Sequence, residues 1–372
     1  MKGEKERKEM KIQTEALKAA YRIVSAVGTI GSVSASQFIR VRFGGGIHMN
    51  LSGIATAEAA VPGDAVTGAV EEGEYFLDRR MLGGFLAAHS SEEEIDWSMN
   101  ESVVTLRSGR HKLDLTSAEV SGYQSWQMPA TKGKKKQQAT IEMSEEEQQQ
   151  ASLLRRYVSE SETCRHLQAI RLLSGYGALS TDMFSMAAVL DSGARLEGFL
   201  PPLAPDMLSG SSLWIGEQGT AAIFPQGYYF HPISEECHRA FPLDALKNMI
   251  ALVDKESPAV VFPRTVLQTL VEQMSGFIFG KDGEAAAIEC SGKPKKGVVL
   301  QLKVSGGVTE QTSDVDVVRE FTAKWPVHQV VTWMDGAPSG IEEVLCYQME
   351  FGAVLEGACN NRRYLLFVAE IV

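Results

Sequence analysis

Cysteine is scarce in this sequence, an excess of base is absent, and long apolar runs do not occur. The five cysteines in 372 residues (Cys164, Cys237, Cys290, Cys346, Cys359) are an odd, scattered set without a CxxC pair. Such a set argues against a disulfide framework and against a structural zinc site, and leaves reduced, mostly buried thiols. Nowhere do about 18 apolar residues follow one another, so neither a membrane-spanning helix nor a membrane partner is expected. Residues 1–11 mix Lys, Glu and Arg with no apolar stretch behind them. A secretory signal is therefore not expected, and the chain reads as soluble and cytoplasmic.

The charge balance is 36 Lys+Arg against 47 Asp+Glu, a formal net charge of -11. A protein coated in basic charge for wrapping nucleic acid is excluded, while a basic patch on one face is not. With 44% hydrophobic and 22% charged residues the chain is globular rather than disordered. At roughly 100–200 residues per domain, its length suggests two or three domains, each with a core of its own.

Catalytic signatures are missing as well. Ser291-Gly292-Lys293-Pro294 lacks the glycine spacing and the Ser/Thr of a phosphate loop. Gly44-Gly45-Gly46 joins two strand-like runs and opens no helix, so it reads as a hairpin turn. No GxSxG or HExxH occurs, and in residues 336–340, GAPSG, the serine is one place off the nucleophile elbow. The histidines (48, 89, 111, 166, 231, 238, 328) are dispersed, and only His231 and His238, with Cys237 beside them, suggest a metal pair. A metal-dependent hydrolase built on them would need further ligands. Asp314 and Asp316, residues 92–94 and residues 145–147 read as solvated charge. The expectation is a protein that is no enzyme and takes no metal or cofactor.

What is present is a repeat. Polar stretches at 132–150 and 254–258 divide the chain into domains at residues 1–131, 132–254 and 255–372, three pieces of similar size. Each opens with an amphipathic helix. In the first, Leu17, Ala20, Tyr21, Val24 and Val27 form the apolar stripe, and Gly28 marks its end. In the second, Ser144 and Glu147 form a capping-box pattern ahead of Leu153, Leu154 and Tyr157. In the third, Pro263 occupies the first helical position, Val266, Leu267, Leu270, Val271 and Met274 make the stripe, and Gly276 ends it.

Strand-like runs punctuated by glycine and polar turns follow, among them 38–43, 48–51, 167–173, 186–190 and 298–304. A second helix is expected at 79–89, capped by Asp78 with Met81, Leu82, Phe85 and Leu86 on its apolar side, and another at 327–334 after Pro326. The middle counterpart, 202–208, is short and broken by proline. Further strands are expected at 103–107, 111–115 and 365–372. The unit is a helix followed by several strands, used twice per domain.

Several short stretches then carry a resemblance. Arg107-Ser108-Gly109-Arg110-His111-Lys112-Leu113 forms a hairpin with Trp126 some way behind it. Ser180-Thr181-Asp182 and Phe241-Pro242 lie in the middle third, and Tyr364-Leu365-Leu366-Phe367-Val368 near the end. Together they resemble the bacterial-type DNA sliding clamp, the beta subunit of the replicative DNA polymerase, over nearly the whole chain. The resemblance implies an α+β fold of three tandem clamp domains, each a duplicated helix-plus-antiparallel-sheet unit, closed as a head-to-tail homodimer ring. Such a ring encircles double-stranded DNA without reading sequence, tethers the replicative DNA polymerase, and is opened by a clamp loader ATPase. It implies helices lining the hole and sheets on the outside.

The resemblance also implies a partner-peptide pocket between the second and third domains. Carried over by position, it comprises Leu167, Thr181, Met183, Phe184, Pro242, Leu246, Leu365, Phe367, Val368 and Ala369. The family's G-H-R is Met183-Phe184-Ser185 here, its basic residue is missing from Leu243-Asp244-Ala245-Leu246, and Glu370 stands near its usual arginine. These departures imply a more apolar, less basic pocket and a divergent member that a phage could carry. Phe184 and Phe367 are the expected anchors, because strand-end aromatics often hold peptides; taken singly, the remaining positions, Leu167 and Leu365 among them, read as core more readily than as contacts.

Lys18, Arg22, Arg79, Arg80, Arg155, Arg156, Arg264 and Lys324 lie on or beside the expected helices. In an acidic chain this placement suggests base segregated onto the inward helices and acid on the rim, with phosphate contacts that read no bases. A helix of about 12 residues spans about 18 Å and presents two or three such side chains. Binding would be weak and salt-sensitive, and retention on DNA topological. The alternative is a clamp-fold adaptor that sequesters polymerase or other clamp-binding proteins without tethering them.

Overall fold

A computed structural model describes residues 9–27, 37–53, 55–68, 72–120, 123, 140–216, 218–278, 286–304 and 307–369. Gly28, Trp126, Glu370 and residues 132–139 lie outside them. The helices among the described residues are α1 (Thr14–Ser25), α2 (Arg79–Ala87), α3 (Glu145–Leu154), α4 (Pro205–Ser209), α5 (Glu235–Ala240), α6 (Leu243–Val253), α7 (Arg264–Ser275) and α8 (Val327–Gly336). None is long and apolar enough to cross a membrane. The fold is α+β, and the strands of all four sheets pair antiparallel.

The expected repeat is present in a more regular form, with a lead strand added before the helix. Lead strands Glu9–Gln13, Gly73–Asp78, Gly198–Leu200, Val260–Pro263 and Phe321–Pro326 precede α1, α2, α4, α7 and α8. Before α3 the lead strand shrinks to the single bridge of Ile141 to Leu213. A triplet of antiparallel strands follows each of these helices. After α1 it is Phe38–Phe43, Ile47–Ser52 and Thr56–Val61; after α2, Glu94–Asn100, Val103–Ser108 and His111–Thr116.

Lead strands are exchanged within each pair of repeats. Glu9–Gln13 pairs with Glu94–Asn100, in the triplet of α2, while Gly73–Asp78 pairs with Phe38–Phe43, in the triplet of α1. Likewise Val260–Pro263 pairs with Glu343–Met349 after α8, and Phe321–Pro326 with Ala287–Lys293 after α7. Neither member of a pair completes its sheet alone, so the duplicated unit folds as one piece.

The chain forms two compact units, Met1–Met143 with Asp206–Ser234, and Ser144–Pro205 with Glu235–Val372. In the first unit, Gly227–Pro232 pairs with Thr56–Val61, giving a seven-stranded sheet beside a five-stranded one. In the second, Ser185–Leu190 pairs with Arg362–Ala369, giving an eight-stranded sheet beside a four-stranded one. The middle third is thus shared between the units because its two triplets join different sheets.

Local chemistry accounts for the helix starts. Ser144 and Glu147 cap α3 reciprocally, and the Asp78 carboxylate accepts the Met81 N–H at 2.8 Å at the start of α2. Pro263 stands just ahead of α7 rather than inside it, and Leu267, Leu270, Val271 and Met274 are buried as the spacing predicts. Leu167 closes a 3-10 segment, Glu162–Leu167, and the strand begins only at Ile170, later than expected.

One close approach fixes α1 against α2. A Cβ on Gly83 would collide with the Tyr21 hydroxyl, which donates to the Arg79 carbonyl at 3.0 Å. Gly84, next along the helix, has no atom within 4 Å of its missing Cβ. Gly83→Ala should therefore destabilise the protein by about 1–3 kcal/mol. Gly84→Ala should stabilise it by up to about 1 kcal/mol. Urea denaturation of both variants checks the pair, and equal effects would contradict the packing.

Candidate partner-binding face and helix cations

In the second unit, Gly177–Thr181 and Ser185–Leu190 form a hairpin whose turn is held by its own side chains. Asp182 Oδ1 accepts the Phe184 N–H at 2.9 Å, the Ser185 N–H at 2.7 Å and the Ser185 hydroxyl at 3.0 Å. The Thr181 hydroxyl donates to the Ser185 carbonyl at 2.7 Å and accepts the Met183 N–H at 3.2 Å. Met183 takes a φ of 84°, a left-handed conformation that costs any residue but glycine. The Ala369 N–H donates to the Phe184 carbonyl at 3.1 Å, joining the turn to the last strand.

This turn divides the expected pocket residues sharply. Met183 and Phe184 expose 67% and 75% of their surface, and Ala369 is exposed and Pro242 half-buried. Leu167, Thr181, Leu246, Leu365 and Val368 are buried. Phe367, expected as an anchor, is 1% exposed and is corrected to core: its register opposite Met186 turns the ring inward, where it stacks near Phe351 with centroids 6.2 Å apart. Those five and Phe367 supply the packing beneath the face, and four positions present it. Cys164 lies against it, its thiol donating to the Met183 sulfur at 3.5 Å.

The expected DNA-facing cations fare differently, because several are engaged within the chain. Arg79 donates to the Val27 carbonyl at 3.1 Å, just past the end of α1, and Lys18 donates to the His89 carbonyl just past the end of α2. Arg264, first residue of α7, donates to Met334 O at 2.9 Å and Ala337 O at 3.1 Å, and to Pro338 O, at the end of α8. Helix ends leave carbonyls unsatisfied and partly negative, and these cations answer that need. Arg156 donates to Thr332 O at 3.2 Å, and Arg22 pairs with Asp206.

Arg155 is half-buried, its Nε without a partner among the described residues. Lys324 sits on a strand, opposite Glu289. Arg80 alone of the eight is exposed with no interaction recorded among the described residues. Glu15, Glu145, Glu146, Asp206, Glu272 and Asp335 are also exposed on these helices. The expected segregation of base onto the helices is corrected accordingly: their solvent faces carry both signs.

His231 belongs to the first unit and His238 to the second, where its ring meets Phe199 edge-on with centroids 4.8 Å apart. Burial lowers the His231 pKa to about 4, so its imidazole is neutral at pH 7. Among the described residues no group of three or more His, Cys, Asp or Glu side chains is placed to hold a metal.

No family model matches the chain, and no curated protein matches it in sequence. Solved structures do match, over nearly its full length. The DnaN sliding clamp (DNA polymerase III subunit beta) of Pseudomonas aeruginosa, bound to griselimycin, superposes with a TM-score of 0.64 at 13% identity, covering 98% of this chain and 100% of that one. The fold is that of the bacterial sliding clamps. A DNA polymerase III beta subunit of Eubacterium rectale gives a TM-score of 0.68 at 10% identity, and the DNA polymerase sliding clamp of Bacillus subtilis 0.67 at 13%. Each covers 98% of this chain and 99% of its own. At such identities the clamp fold is shared while the side chains are this chain's own.

The clamp fold also contains elements that the sequence reading missed. α5 and α6 follow the last middle-third strand, and the spacing of Leu246, Ile250 and Val253, all buried, was the available signal for α6. The lead strands are short, which is why periodicity did not separate them from loops. For Arg264 the structure gives a direct test. Arg264→Met should destabilise the protein by about 1–3 kcal/mol, since α8 loses its cap. Urea denaturation checks this, and unchanged stability would contradict the cap.

Proposed function

We propose that this protein is a DNA sliding clamp, a processivity factor that encircles duplex DNA as a head-to-tail homodimer and tethers the replicative polymerase. The observation that carries this reading is a pair of open sheet edges. In the seven- and eight-stranded sheets, the third strand of one triplet pairs with the third strand of another. In the five- and four-stranded sheets, the third strands His111–Thr116 and Gly307–Ser313 end the sheet with nothing beyond them among the described residues. One belongs to the first third of the chain and the other to the last. Pairing between copies would complete both edges, and because the edges differ the contact is heterologous, which closes into a ring when the rotation permits.

Side chains support the edge reading. Val308, on the second edge, is 60% exposed. Gln273 in α7 accepts from Gln311 of that edge at 2.8 Å, and Phe277, one turn on, is 47% exposed. The first edge strand carries Lys112 and Asp114, paired at 2.6 Å, with Arg107 and Arg110 nearby, and the second carries Glu310.

Three clamp domains at residues 1–131, 132–254 and 255–372 would then give the ring six duplicated units, with its helices toward the DNA. No catalytic step is required of the chain, and opening would fall to a clamp loader ATPase in the cytoplasm. Partners, the polymerase among them, would engage the face around Met183, Phe184, Pro242 and Ala369. Mixed charge on the helices predicts few phosphate contacts, so the link to DNA is topological.

Analytical ultracentrifugation should find a dimer, and Val308→Asp with Phe277→Asp should yield a folded monomer. Once loaded, the protein should stay on circular DNA and leave on linearisation. A wild-type monomer that circular DNA does not retain would overturn the reading. The mixed helix charge also favours a second reading, an adaptor that binds polymerase without holding DNA. Loading onto circular DNA with the polymerase separates the two: a tether is retained and confers processivity, whereas an adaptor binds the polymerase and is not retained.

A further inference from the structure

The turn that follows α2 is a junction between α1, α2 and the hairpin of Val103–Ser108 with His111–Thr116. Lys18 of α1 donates to the His89 carbonyl, and the Thr14 N–H, at the start of α1, donates to the Glu93 carbonyl at 3.1 Å. The Ser108 hydroxyl donates to Glu93 Oε2 at 2.9 Å, and His89 Nδ1 lies 2.9 Å from the same oxygen. Those two hydrogen bonds, Ser108 first, hold the Glu93 carboxyl below its usual range. An ionised carboxylate only accepts, so the imidazole is the donor. Ser108 is buried and pairs with His111, the first residue of the outer strand. The His111 ring meets that of His89 edge-on, with centroids 5.3 Å apart.

An outer strand has one neighbour to hold it, and a two-stranded hairpin is weak alone. Here the tip of the hairpin is tied back to the end of α2 through one carboxylate oxygen. The middle of the outer strand is held as well, since Asp114 accepts from Thr105 and from Lys112, each at 2.6 Å. His89 is 6% exposed and packs against Phe85, with ring centroids 4.4 Å apart. Its Nε2 is buried with no partner among the described residues. A buried nitrogen left unpaired lowers stability, so folding alone would be served as well by leucine. What the imidazole adds is the Nδ1 bond to Glu93.

We infer that His89, Glu93 and Ser108 are positioning residues for assembly, fixing the outer strand His111–Thr116 where the strand Gly307–Ser313 of a second copy pairs with it. This rests on the reading of the chain as a head-to-tail homodimer. Being buried, His89 and Ser108 act through the strand rather than on the second copy. A strand fixed beforehand loses less conformational freedom on association, and the dimer is tighter for it.

Sedimentation of the full chain over a concentration series gives the dimer dissociation constant. Melting curves of the same substitutions on the Val308→Asp, Phe277→Asp background give the stability of the single subunit. His89→Leu should raise the dissociation constant by about 10-fold or more. The subunit's melting temperature should hold or rise, because an unpaired nitrogen is removed. Glu93→Ala should weaken the dimer too, whereas Glu93→Gln should keep it, since an amide oxygen can accept both bonds. An unchanged dissociation constant in His89→Leu and Glu93→Ala would overturn the inference, and so would Glu93→Gln dimers as weak as those of Glu93→Ala. A lower subunit melting temperature for His89→Leu would assign the ring to folding and overturn it as well. A wild-type chain that stays monomeric at every concentration would sink the homodimer reading and this inference with it; that result stands apart because it appears before any substitution.

Discussion

A β-strand has two hydrogen-bonding edges, and every triplet in this chain must find something for the outer edge of its third strand. Thr56–Val61 finds Gly227–Pro232, and Ser185–Leu190 finds Arg362–Ala369. These pairings make the large sheets, divide the middle third between two compact units, and bring the Asp182 turn to the last strand of the chain. The two third strands left over, His111–Thr116 and Gly307–Ser313, are the reason for expecting a second copy. The architecture follows from how one kind of edge is satisfied.

Helix ends impose a second constraint of the same kind. The carbonyls past α1, α2 and α8 are met by Arg79, Lys18 and Arg264. Arg79 and Arg264 are each the first residue of one helix in a pair and cap the end of the other, so the device recurs with the duplicated unit. It locks neighbouring helices together through charge-assisted hydrogen bonds. It also engages those cations within the chain, and acids stand beside the remainder on the helices.

Much of the fold was legible in the residues. The α1 stripe, the α3 capping box, the Asp78 cap and the α7 stripe are local patterns, and the structure reproduces them. The recurrence of helix and strands was legible too, as was the clamp-like fold suggested by the Ser108-Gly109-Arg110 hairpin and the terminal strand. Lead strands of three to six residues were not, because a run that short shows no period. α6 went unread although its apolar residues recur at helical spacing.

The candidate face shows where local reading ends. Phe184 and Phe367 look alike as strand-end aromatics, yet one projects into solvent and the other is core. Phe184 sits in the turn that Asp182 holds, outside the strands, while the register of Ser185–Leu190 against Arg362–Ala369, set by residues about 180 positions apart, turns Phe367 inward. The cations divide in the same way, since a helix shows which face carries an arginine but not whose carbonyls lie opposite. Composition, periodicity and caps determined which elements form, because those depend on neighbours in the chain. Which side chains remained available for partners or DNA was decided only when distant strands and helices met, because burial and hydrogen bonding are properties of that meeting.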